Sequence, residues 1–279
     1  MARLGAPIVF TQLAWVAMLT TDTAMIGRLG PDALAGASLS LMIFFLTWVF
    51  CFGVIMATAA LASQAFGARK PRMIRRVIRQ GFWATIVLTV PAMIAFRYTP
   101  DLLGLLSQPP EILPHADAYM STLMWCLIPS IGFAVVRNFI SSLNRPTPAL
   151  WVMLAGVPLN GLLDYALIFG NFGLPRLELV GAGIATSIVN WLMFLVLLAI
   201  AVFAKPFRRY AILGRFWRPD WFQFRQIFRI GLPIAAMSLL EAGFFFSAIF
   251  IVGQFGAHAI AATMIALQMP HITFMVPMG

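Results

Sequence analysis

The chain has 279 residues, of which 61% are hydrophobic and 10% charged, against about 25% charged in a soluble domain. That balance excludes a soluble globular fold, because a core of this length cannot hide so much apolar surface. The net charge of +10 does not signify nucleic-acid binding, since the basic residues gather between long uncharged runs rather than on one polar face.

Uninterrupted apolar runs of about 20 residues match the hydrocarbon core of a bilayer, and backbone groups in lipid must be satisfied within the segment, which demands helices. Eight spans are predicted, at 7–27, 34–61, 80–96, 118–136, 149–170, 180–204, 230–254 and 258–279. The first is too long for a signal peptide and lacks an A-x-A site, so it is expected to be retained. It carries Pro7 near its start and Asp22 towards its end. The connection to the third span holds PRMIRRVIRQ at 71–80, with Met73, Ile74, Val77 and Ile78 on one helical face. A second such segment, WRPDWFQFRQIFR, occupies 217–229. Both are expected as short helices in the inner headgroup layer, held by anionic lipid; for the first, an ordinary solvated loop is an equal alternative. Pro91, Pro129 and Pro158 lie inside spans three, four and five and are expected to bend them. Pro7 and Pro233 either sit harmlessly near helix starts or, if those helices begin earlier, act as kink points.

Placing the N-terminus in the cytoplasm puts sixteen of the nineteen Lys and Arg on the inner side, leaving only Arg28, Arg97 and Arg176 outside. This positive-inside bias predicts a cytoplasmic N-terminus. Cys51 and Cys126 fall within spans, so no disulfide framework is expected. There is no G-x-x-x-x-G-K-[ST] loop, no H-E-x-x-H, and only three scattered histidines. No paired nucleophile and base or metal set supports an enzyme.

Three acidic residues fall inside spans: Asp22, Asp164 and Glu241. A charged carboxylate at mid-helix costs about 2.5–3.5 kcal/mol on insertion scales, so each needs a reason. With no Lys or Arg at mid-depth to pair with, protonation or cation binding remains. Asp22 and Asp164 each lie 15 residues from the inner end of their span, which puts both about 22 Å from the inner surface. Asn160 is one turn before Asp164, and Thr186 lies about 9 Å from the outer surface on span six. Four oxygen-bearing side chains are thus expected at one level, hard ligands suited to Na⁺ or to a proton. Hydrogen-bond glue between helices is the alternative, more so for Asn160 and Thr186 than for the aspartates. Glu241 has no equally deep partner and is expected to face helices other than these.

A gapless internal match at an offset of 226 pairs residues 5–41 with 231–267, including Gly5 with Gly231, Pro7 with Pro233, Gly27 with Gly253 and Gly30 with Gly256. An even number of spans separates the copies, so they run in the same direction, as in transporters built from parallel repeats. The fold expected is an all-α polytopic membrane protein. Residues 1–204 form a six-helix N-lobe, 205–229 a cytoplasmic basic amphipathic linker, and 230–279 the first two helices of a second, parallel six-helix lobe, the rest of which is expected to be missing from this chain.

Four stretches carry a resemblance: DTAMIGRLGPDALAGASL at 22–39, ASQAFGARK at 62–70, PLNGLLDYALIFGNFGLPRLELVGAGIAT at 158–186, and GLPIAAMSLLEAGFFF at 231–246. These resemble the multidrug and toxic compound extrusion (MATE) transporters, twelve-helix proteins with two six-helix lobes around a central cavity. The resemblance implies that Asp22, Asn160, Asp164 and Thr186 form a cation or proton site. It further implies that Pro7 kinks the first helix during the cycle and that Glu241 serves coupling or substrate binding. The function it implies is a secondary antiporter in the bacterial inner membrane, exporting cationic amphipathic drugs in exchange for H⁺ or Na⁺. Such a protein needs no cofactor, binds no nucleic acid, contacts membrane lipid and works as a monomer when complete. Two alternatives stand beside it: a flippase of lipid-linked precursors on the same fold, and a truncated fragment or assembly partner with no transport of its own.

Overall fold

The computed structural model describes residues 2–105, 110–171, 173, 175–212, 214 and 220–253, and every regular element among them is helical. In chain order these are α1 (Ala2–Ile26), α2 (Pro31–Gly67), α3 (Pro71–Phe96), α4 (Thr99–Leu105), α5 (Leu113–Leu123), α6 (Leu127–Ser142), α7 (Thr147–Phe169), α8 (Glu178–Phe203) and α9 (Trp221–Gly253). α5 and α6 form one span joined by a 3₁₀ turn at Met124–Cys126. Pro129 accounts for that turn. It has no N–H to give the carbonyl of Trp125, and its ring crowds the same group. The proline therefore shows itself as a local change of helix type.

The chain is a multi-pass membrane protein. Among the described residues, six helical segments are long and apolar enough to cross a bilayer: α2, α3, α5 with α6, α7, α8 and the first part of α9. Their outer faces leave Val87, Ile94, Leu195, Val196 and Phe203 exposed, as suits surfaces solvated by lipid tails. Their inner faces bury Ile55, Leu61, Ile78, Leu127 and Phe139 completely. α2 is the hub, packing on α3, α5, α6 and α9, while α1 packs on α7 and α7 on α8. The expected eighth span, 258–279, lies outside the described residues, as do residues 254–267 of the second copy of the internal repeat.

The two amphipathic segments are not separate surface helices. Residues 71–80 are the first turns of α3, continuous with the span, and bury Ile74, Val77, Ile78, Arg79 and Gln80. From Trp221 onward the second segment is likewise the beginning of α9. Their arginines lowered the local hydropathy and masked helix ends that project beyond the apolar stretch. For the same reason Arg79 and Arg137, expected in loops, lie inside α3 and α6 near their basic ends. Because α9 starts at Trp221, Pro233 is well inside it and removes a hydrogen bond to the carbonyl of Arg229. Pro7 likewise lies beyond the first turn of α1, so neither proline sits at a helix start.

Gly231, shared by the two halves of the repeat, has a packing reason. A Cβ there would collide with the carbonyl oxygen of Val54 on α2, and a Cβ at Gly53 would stand 2.6 Å from the Cα of Ala235 on α9. The two glycines let α2 and α9 cross almost backbone to backbone, a membrane-helix contact built on small residues.

A buried carboxylate cluster as the candidate cation site

α1, α7 and α8 carry the four predicted residues at one end of the bundle. Asp22 lies about 6 Å before the end of α1 and Asp164 about 7.5 Å before the end of α7, while Thr186 lies about 12 Å into α8. α7 and α8 are held in register by an unusually close approach. A Cβ at Gly181 would meet the carbonyl oxygen of Leu167 at 2.6 Å, and the N–H of Leu177 donates to that same carbonyl at 2.9 Å. Neighbouring hydroxyls are occupied locally: Thr20, Thr21 and Thr23 each donate to the carbonyl four residues back, at 2.8, 2.9 and 2.8 Å. That leaves the carboxylate of Asp22 to look outward from α1.

The structure brings Asp22, Asn160, Asp164 and Thr186 together. The single amide nitrogen of Asn160 donates to Oδ1 of Asp22 and, at 2.7 Å, to Oδ2 of Asp164. Oγ1 of Thr186 donates towards Oδ2 of Asp22 at 3.3 Å and to the carbonyl of Ala182 at 3.0 Å. Asn160 and Asp164 are fully buried and Asp22 nearly so. Oδ1 of Asn160 and Oδ1 of Asp164 are buried acceptors with no donor. The two carboxyls act on each other by charge and by hydrogen bonding, and the other groups bonded to them are Asn160 and Thr186. The ion pairs Arg76–Asp220 and Arg176–Glu178 lie elsewhere. Two carboxylates sharing one amide, with acceptor oxygens left over, form a site deficient in positive charge and in donors. A proton would supply both, and a small hard cation would supply the charge and be coordinated by the unmatched oxygens.

Two contributors escaped the sequence reading. Asn190, one turn after Thr186, donates to its carbonyl at 2.8 Å, and only its i+4 spacing could have flagged it. Tyr119, buried in α5, lies within electrostatic reach of both aspartates; nothing in the sequence places α5 there. Glu241 is not brought to the cluster. It is exposed on α9, which packs on α2 and α3, beside the exposed Met237, Leu240 and Phe244.

A family model described as MatE matches residues 7–166, more than half of the chain. The chain belongs to the MatE family. A protein named probable multidrug resistance protein NorM, from Bradyrhizobium diazoefficiens, is 44% identical over 277 residues, covering 99% of this chain and 59% of that relative. Its namesake in Rhodopseudomonas palustris is 45% identical over 276 residues, covering 99% and 58%. The chain thus spans about three fifths of the length of these relatives. Among solved structures, a MATE protein in complex with MaL6 superposes with a TM-score of 0.85 at 22% identity, covering 99% of this chain and 60% of the other. An outward-facing multidrug resistance MATE transporter of the MOP superfamily gives 0.83 at 22% identity, covering 99% and 61%. At that identity these structures speak to the MatE-family fold alone, and they agree with a six-helix lobe followed by the start of a second.

Proposed function

We propose that the chain is the ion-binding part of a multidrug efflux antiporter that exports cationic amphipathic compounds in exchange for H⁺ or Na⁺. The observation that carries this reading is the pair of buried aspartates bridged by one amide, with two buried acceptor oxygens unmatched. Filling the site with H⁺ or Na⁺ favours one conformation and drug binding the other; that differential affinity is what couples the two. In this reading the N-terminus is cytoplasmic, the membrane is the bacterial inner membrane, and Pro7 and Pro233 are the points where α1 and α9 flex. Glu241 then faces the other lobe, available for cargo or coupling.

Cationic aromatic cargo is supported by a ladder of half-buried rings on α1 and α2. Trp15 stacks on Trp48 at 6.0 Å, Trp48 on Phe52 at 4.8 Å, and Phe45 lies 6.3 Å from Trp48. Faces of this kind attract flat cations. Arg137 already occupies the Phe52 end, 5.5 Å from the ring centroid. A flippase for anionic precursors would need a cationic cavity instead. Arg79 and Arg137 lie inside helices, but at the basic end and against packed side chains, so the antiporter is the better fit.

The test uses everted vesicles containing a full-length transporter built on this chain. Ethidium should accumulate when H⁺ or Na⁺ is higher in the lumen and leave when an ionophore collapses that gradient; accumulation indifferent to both ions rejects antiport. In the same assay Thr186→Val should raise the half-maximal ion concentration by on the order of tenfold, the effect of one weak hydrogen bond to a charged group. An unchanged half-maximal concentration removes Thr186 from the site.

A further inference from the structure

We propose that the basic end of the bundle holds a phosphate-binding pocket, formed where the turn between α2 and α3 meets the start of α9. The cavity there has a volume of about 390 Å³ and is lined by Lys70, Pro71, Arg72, Met73, Arg76 and Gln223. Its chemistry is one-sided. α3 begins at Pro71 with no acidic residue in its first turn and no side-chain cap from Lys70. The positive end of the helix dipole therefore adds to the charges of Lys70, Arg72 and Arg76, where stability alone would place Asp or Glu. The acidic group beside them, Asp220, lies 3.7 Å from Arg76 and also accepts the N–H of Gln223 at 3.3 Å, capping α9. One carboxylate with two tasks leaves the pocket with surplus positive charge.

A second observation points to a ligand. Gln223 is 6% exposed, lines this cavity, and has a buried Oε1 with no partner. A phosphate ester carrying a hydroxyl satisfies both halves of the pocket: its phosphoryl oxygens take the Lys and Arg donors, and its hydroxyl donates to Gln223. Trp221 and Phe222, each 73% exposed beside the site, suit the headgroup level of a membrane. The ligand chemistry is thus a phosphate group, carried by a lipid head such as phosphatidylglycerol or dissolved as inorganic phosphate. Bound there, it ties the α2–α3 turn to the beginning of α9.

The experiment takes the purified chain, stripped of lipid in detergent, and measures retained lipid by native mass spectrometry with phosphatidylglycerol or phosphatidylcholine added. The chain should hold phosphatidylglycerol in preference, and Lys70→Gln with Arg72→Gln should weaken that binding on the order of tenfold, given the worth of each basic residue near an anionic headgroup. The swap Lys70→Arg with Arg72→Lys, and Arg176→Gln at the opposite end, should leave it intact. Arg72→Gln alone, at an exposed side chain, serves if the double variant is not monodisperse. Displacement of the lipid by inorganic phosphate identifies the phosphate group as sufficient; persistence of the lipid identifies the headgroup as the source. Equal retention of the two lipids, or equal binding by the chain and a monodisperse charge-neutral variant, overturns the proposal.

Discussion

Replacing Asp164 with Asn is expected to bring gradient-driven ethidium efflux down to the level of vesicles lacking the transporter. The substitution keeps the volume and an oxygen for the amide of Asn160, which now bridges Asp22 and Asp164. What it removes is one of two charges in a buried site, and with it the ability to exchange a proton or cation. Asp22→Asn should act in the same direction, and the double variant should be no worse than either single one, as for groups that work as a unit. Stability supplies the control. Deleting one of two neighbouring like charges relieves repulsion, so thermal unfolding of Asp164→Asn should come at no lower temperature than that of the unaltered protein. Undiminished efflux removes the aspartate from the mechanism, and a lower unfolding temperature recasts it as structural glue.

Gly231→Val is expected to produce the largest loss of stability of any single substitution considered. The added side chain would be driven into the carbonyl of Val54, at the crossing where Gly53 already meets Ala235. Overpacking of this kind costs about 1–3 kcal/mol, occasionally more, and here the obstacle is backbone rather than a flexible side chain. Unfolding followed by circular dichroism in detergent should show a clearly lowered midpoint. Gly67→Ala is the counterpart: nothing stands within 4 Å of its Cβ position at the end of α2, and better helix propensity should leave stability unchanged or slightly raised. Equal behaviour of the two variants contradicts the close crossing of α2 and α9.

The features legible in the sequence were those with strong local physics. Long uncharged runs announced the spans, and an aspartate within one demanded a partner or a proton. Equal spacing from the span ends placed Asp22 and Asp164 at one depth, with Asn160 one turn before Asp164 and Thr186 near that level on the next span, and the structure brings the four into contact. What escaped was set by tertiary packing. Arginines in the first turns of α3 made residues 71–80 look like a surface helix, because hydropathy cannot tell a basic helix end from a basic loop. Arg69 adopts a left-handed conformation (φ 55°) that a glycine would take at lower cost. Its N–H reaches the carbonyl of Phe66 at 2.9 Å, and that of Lys70 reaches Ala65 at 2.9 Å, closing the end of α2. The glycine of this stretch, Gly67, stands two residues before the left-handed position, so the sequence did not mark it. The approach of Gly181 to Leu167 and the stacking of Trp15 on Trp48 depend on which helices are neighbours, and periodicity along one helix does not carry that information.

The most direct test of the cation site is difference infrared spectroscopy of the chain in lipid, titrated first with acid and then with Na⁺. The carbonyl band of a protonated carboxylic acid should appear or grow on acidification, diminish in Asp22→Asn and Asp164→Asn, and recede on adding Na⁺ if the two ions share the site. A spectrum in which neither substitution alters any pH- or Na⁺-dependent carboxyl band contradicts the assignment and leaves the cluster as a hydrogen-bonded brace between α1, α7 and α8.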